Sequence, residues 1–176
     1  SQPYYSPHPL VHLQRGEPAA FLKAYYNTVA ALVDRQTYTF WEHLYEVSPY
    51  KTHEEGWFLM QTRWMLYREA GTTLNLLSGI PRCYLEQGKR IRLTNVASYF
   101  GPLSLQASSE LAENRIVADI RCDSDHKPAC VVIRLPHPER QTAESVQGGL
   151  YDPATESVRV EPFTGRAQVI LTFAAQ

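Results

Sequence analysis

Residues 115–122 read RIVADIRC and residues 166–173 read RAQVILTF. Both alternate apolar with polar side chains over several positions, the period of two expected of a half-buried strand. Thr73 to Leu77, Arg90 to Asn95, Leu103 to Leu111, Ala129 to Leu135 and Ser157 to Glu161 also read as strands. Turn-forming clusters separate these runs at Leu85 to Gly88, Ala112 to Asn114, Asp123 to Asp125, Gly148-Gly149 and Tyr151 to Pro153. Short strands at this spacing, with no helical pattern between them, predict an antiparallel β-sandwich of about seven to nine strands over residues 72–176.

Upstream of Gly71 the period changes. Phe21, Leu22, Tyr25, Val29, Leu32 and Val33 recur at the spacings of one helix face, and Pro18 suits a first-turn position, where a missing N–H costs nothing. A helix is therefore expected over about Pro18 to Arg35. A second is expected over Thr37 to Val47, against its aromatic and β-branched content, until Pro49 interrupts. Residues 1–17, with Pro3, Pro7 and Pro9, read as an extended arm, and residues 18–71 as a helical segment. The expected class is α+β: two or three α-helices preceding the sandwich.

The stretch from Thr52 to Gly71, THEEGWFLMQTRWMLYREAG, opens with the S/T-x-x-E pattern of a capping box formed by Thr52 and Glu55. Behind it, Trp57, Phe58, Leu59, Met60, Trp64, Met65 and Leu66 surround most of the helix circumference, so this helix needs neighbours on several sides. His53, Glu54 and Trp57 are the candidate substrate-binding residues, with Trp57 as a stacking platform for a sugar ring and a carboxylate as partner for its hydroxyls. The structural alternative is that Glu54 and Glu55 complement the helix dipole, Trp57 is core and His53 faces solvent. The adjacent glutamates are no catalytic pair, because neighbours along a helix do not face one another.

The charge balance excludes other chemistries. With 17 Lys+Arg against 18 Asp+Glu the net charge is -1, and no basic field draws nucleic acid or an anionic membrane. No apolar run approaches the roughly 20 residues that span a bilayer. Cys83, Cys122 and Cys130 form neither a metal motif nor a disulfide framework. Cys122 and Cys130 flank a turn and read as buried reduced thiols rather than a bridge, which favours the cytoplasm. The H-E-x-x-H spacing, the G-x-S-x-G elbow and a glycine-rich phosphate loop are all missing, so no metal or cofactor is expected. His8 and His12 are four apart, but in the proline-rich arm; His43 reads as a surface or half-buried helix residue. Tyr99-Phe100, before Gly101-Pro102, reads either as a carbohydrate platform or as a core cap where a strand bends.

Three further stretches, EEGWFLMQTRWMLYREAGTTLNLLSGIPRCYLEQGKRIRLTNVASYFGPLSLQ, CVVIRLPHPE and YDPATESVRV, bear on function. Over roughly residues 18–176 they resemble the C-terminal end of bacterial glycoside hydrolases of the six-hairpin, (α/α)6-barrel type, where the last barrel helices lead into a small β-sandwich. The resemblance implies an accessory segment that braces a catalytic barrel, with the upstream barrel of the same polypeptide, or a second copy, as its partner. Glycoside hydrolysis requires two carboxylates, about 5–5.5 Å apart for retention or about 6.5–9.5 Å for inversion. No motif here identifies such a pair, so the isolated chain is expected to be inactive. The start at Ser1 rather than methionine fits an excised or processed chain. The alternative is a stand-alone carbohydrate-binding or protein-interaction module using exposed aromatics such as Tyr99, Tyr151 or Trp57.

Overall fold

A computed structural model describes residues 6–42, 48 and 50–175. The chain divides into two compact units, one made of residues 1–66 with 78–80 and the other of residues 67–77 with 81–176. The division thus falls at Leu66 rather than at Gly71.

The first unit contains α1 (His8–Gln14), α2 (Pro18–Leu32) and α3 (Thr52–Leu66). Helix α1 corrects the expected extended arm. Pro7 caps it and Pro9 lies in its first turn, where proline needs no intrahelical donor, so prolines that read as an arm start a helix instead. His8 and His12 consequently share a helix, with ring centroids 5.7 Å apart, and His12 Nδ1 lies 2.7 Å from Glu17 Oε2. Among the described residues no three metal-ligating side chains are gathered.

Helix α2 starts at Pro18 and buries Phe21, Tyr25 and Leu32. It ends earlier than expected, as Val33 turns extended. Of the helix expected over residues 37–47, the described part is a tight return. Asp34 Oδ1 accepts the backbone N–H groups of Gln36 and Thr37, at 2.8 and 3.0 Å, and Val33 then bridges to Phe40. An aspartate that captures its own downstream donors competes with the helix, and here it wins. Residues 43–47, including His43, lie outside the described residues.

The second unit carries ten strands: β1 (Tyr67–Ala70), β2 (Thr73–Leu76), β3 (Arg90–Ser98), β4 (Gly101–Glu110), β5 (Arg115–Arg121), β6 (Cys130–Arg134), β7 (Ser145–Gln147), β8 (Leu150–Asp152), β9 (Ser157–Val160) and β10 (Arg166–Thr172). They form two five-stranded sheets, ordered β1-β2-β6-β9-β8 and β3-β4-β5-β10-β7. Every pairing is antiparallel except β2 with β6, where Leu74 lies beside Val131 and Leu76 beside Ile133 in parallel register. The α+β sandwich preceded by helices is therefore present, with one more strand than the upper expectation and one parallel step.

The core is built from alternate positions. Leu103, Leu105 and Ala107 of β4, Ile116, Ala118 and Ile120 of β5, and Val169 and Leu171 of β10 are buried, and Leu74, Leu76, Val131, Ile133 and Val158 fill the other sheet. Each large side chain so buried stabilises by about 1.5–3 kcal/mol. Two glycines set the connections. Gly71, at φ +59, sits with Thr72 in the two-residue turn between β1 and β2. Gly148, at φ +87, lies where the chain leaves one sheet for the other, and a Cβ there would clash with the carbonyl oxygen of Gln168.

Candidate binding groove and neighbouring side chains

Helix α3 carries the three residues singled out from the sequence, and they diverge. The backbone N–H groups of Glu54 and Glu55 both reach the Lys51 carbonyl oxygen, at 3.0 and 3.3 Å, so Lys51 holds the capping position and Thr52 is the first helical residue. His53 is exposed, with Nε2 3.3 Å from Glu54 Oε1, whereas Glu54 is only 2% exposed. Trp57 packs with Phe58 against Leu32 and Phe40, and its ring lies 6.2 Å from that of Trp64. Trp57 is thus half-buried against an aromatic cluster.

The burial of α3 mixes polar and apolar residues on both sides. Glu54, Gln61 and Met65 face inward, while Leu59 and Met60 are 65% and 41% exposed. Gln61 Nε2 donates to the Ser6 carbonyl at 2.8 Å, but its Oε1 is buried without a partner among the described residues. Burying an amide oxygen unpaired while leaving leucine and methionine in water is costly on both counts.

Within the sandwich, the outer face of the sheet β3-β4-β5-β10 forms a groove of about 600 Å³. Alternation places its side chains: positions flanking the buried ones on β4, β5 and β10 point away from the core. Strand register aligns them into two rows. Arg92 lies opposite Gln106, Gln106 opposite Asp119, and Asp119 opposite Gln168, whose Nε2 donates to Asp119 Oδ1 at 2.8 Å. In the next row Ser104 lies opposite Arg121, and Arg121 opposite Arg166. An irregularity in β3 after Leu93 turns Asn95 onto this row: its backbone N–H donates to Ser104 Oγ at 3.0 Å, and the serine hydroxyl donates to Asn95 Oδ1 at 3.1 Å.

The groove therefore holds three arginines against one aspartate, a local excess of two positive charges on a chain of net charge -1. Among the described residues no aromatic side chain lines it. Exposed Tyr99 sits at the tip of the β3–β4 hairpin, its partner Phe100 is buried, and Tyr151 belongs to the other sheet. Net charge and aromatic content do not reveal the groove residues. The signal was available: in RIVADIRC, Asp119 and Arg121 are two apart and share a strand face.

A second polar cluster joins three of the stretches that carry the family resemblance. Arg82 Nη1 lies 2.6 Å from Glu156 Oε1 and donates to the His137 carbonyl at 2.7 Å, while Arg134 Nη2 lies 2.9 Å from Glu156 Oε2. Glu156 adopts a left-handed φ of +55, and its carbonyl accepts the Leu135 N–H at 3.0 Å. Burial pulls the Arg134 guanidinium below its ordinary value despite Glu156, and burial likewise lowers His137. The His137 ring lies 4.5 Å from Phe173, and its Nδ1 accepts the Glu139 N–H at 3.2 Å. Every member is held by another, so the cluster fastens loops together.

Cys122 and Cys130 are buried free thiols whose pKa values burial raises, and Cys83 is exposed and free. No described helix is long and apolar enough to cross a membrane. Compared with known proteins, the chain matches no family model and no curated protein.

Proposed function

We propose that this chain is an accessory segment of a carbohydrate-processing protein, its helical unit completed by further helices of the same polypeptide and its sandwich bracing the catalytic barrel. The observation that carries this reading is the exposure of Leu59 and Met60 on α3, whose other apolar residues are half-buried or buried. A helix with apolar residues on its exposed side is complete only when another element covers them. The resemblance to the end of a six-hairpin glycoside hydrolase supplies the identity of that cover. The groove has Asp119 as its single carboxylate, whereas glycoside hydrolysis uses two. The chain alone is therefore expected to cleave no glycosidic bond and to self-associate through its helical unit. A monodisperse monomer in light scattering at high concentration would contradict the reading.

A second reading, a carbohydrate-binding module, is favoured by one observation: the two cross-strand rows of polar side chains on the outer face. Ser104, Gln106 and Gln168 there offer hydroxyl and amide groups to sugar hydroxyls. Glycan titration of the full chain tests it.

A further inference from the structure

Arg121 and Arg166 stand directly opposite one another on β5 and β10. Directly opposed residues bring their Cβ atoms to about 4.5–5.5 Å, and like charges so placed oppose folding. The sheet offers little to offset this. Asp123 Oδ2 reaches Arg166 at 3.3 Å, but the nearest carboxylate in the groove, Asp119, is engaged by Gln168. The side chains of Arg92 and Arg121 have no ion-pair or hydrogen-bond partner among the described residues, and both are exposed.

We propose that the groove is a binding site for an acidic glycan, with a carboxylate or sulfate of the sugar seated between Arg121 and Arg166. This deepens the carbohydrate-binding reading and rests on it. Guanidinium groups present planar donor pairs that match carboxylate and sulfate oxygens, so an anion between the two converts a repulsive pair into a bridged one. Arg92 supplies a further cation along the adjoining row, which crosses four strands and so extends about 14 Å at ordinary strand spacing. Between the cations lie Gln106, Gln168, Ser104 and Thr94, suited to the hydroxyls of a chain whose charges recur at intervals. The lack of an aromatic lining points the same way: neutral sugars are gripped by stacking, and nucleic-acid bases likewise. This groove grips by charge and hydrogen bonds beside the apolar Leu93, Leu105, Ile120 and Ala167.

The test is calorimetric titration of the full chain with five probes: oligogalacturonate, chondroitin sulfate, a neutral xylo-oligosaccharide, poly-glutamate and a single-stranded oligonucleotide. The inference predicts saturable binding of oligogalacturonate or chondroitin sulfate, and which of them binds distinguishes carboxylate from sulfate. Affinity should fall at least tenfold in Arg121→Gln and again in Arg166→Gln, and should weaken with added salt. Thermal melting of both variants should stay level or rise, because each removes one of two like charges. Binding of the xylo-oligosaccharide alone, untouched by the arginine variants, would overturn the acidic-glycan inference while leaving the carbohydrate-binding reading standing. Equal binding of poly-glutamate or the oligonucleotide would overturn it too, showing anion capture without sugar recognition. Binding of none of the five overturns both.

Discussion

Arg134 Nη2 lies 2.9 Å from Glu156 Oε2, and both side chains are largely withdrawn from solvent, at 10% and 17% exposure. A guanidinium held this deep depends on its counter-charge, because removing one member of a buried pair leaves the other uncompensated. Glu156→Gln is expected to destabilise the fold by about 3–5 kcal/mol in urea unfolding. A double variant, Arg134→Met with Glu156→Gln, should recover part of that loss, since the more deeply buried guanidinium is then gone and only the more exposed Arg82 is left without its carboxylate. A single-variant loss below about 0.5 kcal/mol, typical of an exposed pair, would refute the loop-fastening role.

His137 gives the fold a pH dependence of definite sign. Burial lowers its pKa in the folded chain below the ordinary value of about 6.5, so between the two values the unfolded chain binds more protons. Its contribution is fully present above about pH 6.5 and is lost as pH falls below that. Melting temperature should drop from pH 7 to pH 5, and His137→Gln should flatten the drop. An identical pH profile in the variant would remove His137 from the account.

Thiol labelling should separate the three cysteines. Cys83 is exposed, while Cys122 and Cys130 are buried with raised pKa values, and the reactive form is the thiolate. Mass spectrometry after brief alkylation of the native chain is expected to find one adduct, at Cys83, and three after unfolding. Rapid native labelling of Cys122 or Cys130 would contradict the packing described here.

The exposed apolar side of α3 predicts its own repair. Leu59→Glu with Met60→Glu removes two exposed apolar side chains at little cost to the fold, since surface changes usually stay within about 0.5 kcal/mol. Light scattering should show association in the parent chain and a monomer in the double variant. Association that persists unchanged in the variant would place the sticky surface elsewhere.

Much of the sandwich was legible because alternation is a strong signal: all seven runs read as strands contain one. Strands β1, β7 and β8 were not, being three or four residues long, and β1 follows α3 with no breaker between Leu66 and Tyr67. The parallel pairing of β2 with β6 is set by distant register, which a period of two does not encode. Helix α1 was hidden by prolines that suit a helix start as well as an arm. Around the groove, alternation puts Asp119 and Arg121 on one face, but only strand pairing brings Arg92, Arg121 and Arg166 together. The polarity of α3 was the least legible feature, since its apolar residues surround the helix and pattern alone does not say which side is covered.

We propose that further helices of the same polypeptide complete this chain. The most direct test is the intact mass of the protein as its native host makes it, with the peptides of this chain located in the product. A polypeptide several times heavier than 20.1 kDa, with additional helical sequence ahead of Ser1, is the predicted result. A native product of about 20.1 kDa would contradict the claim and leave the α3 surface to a second copy or to another protein.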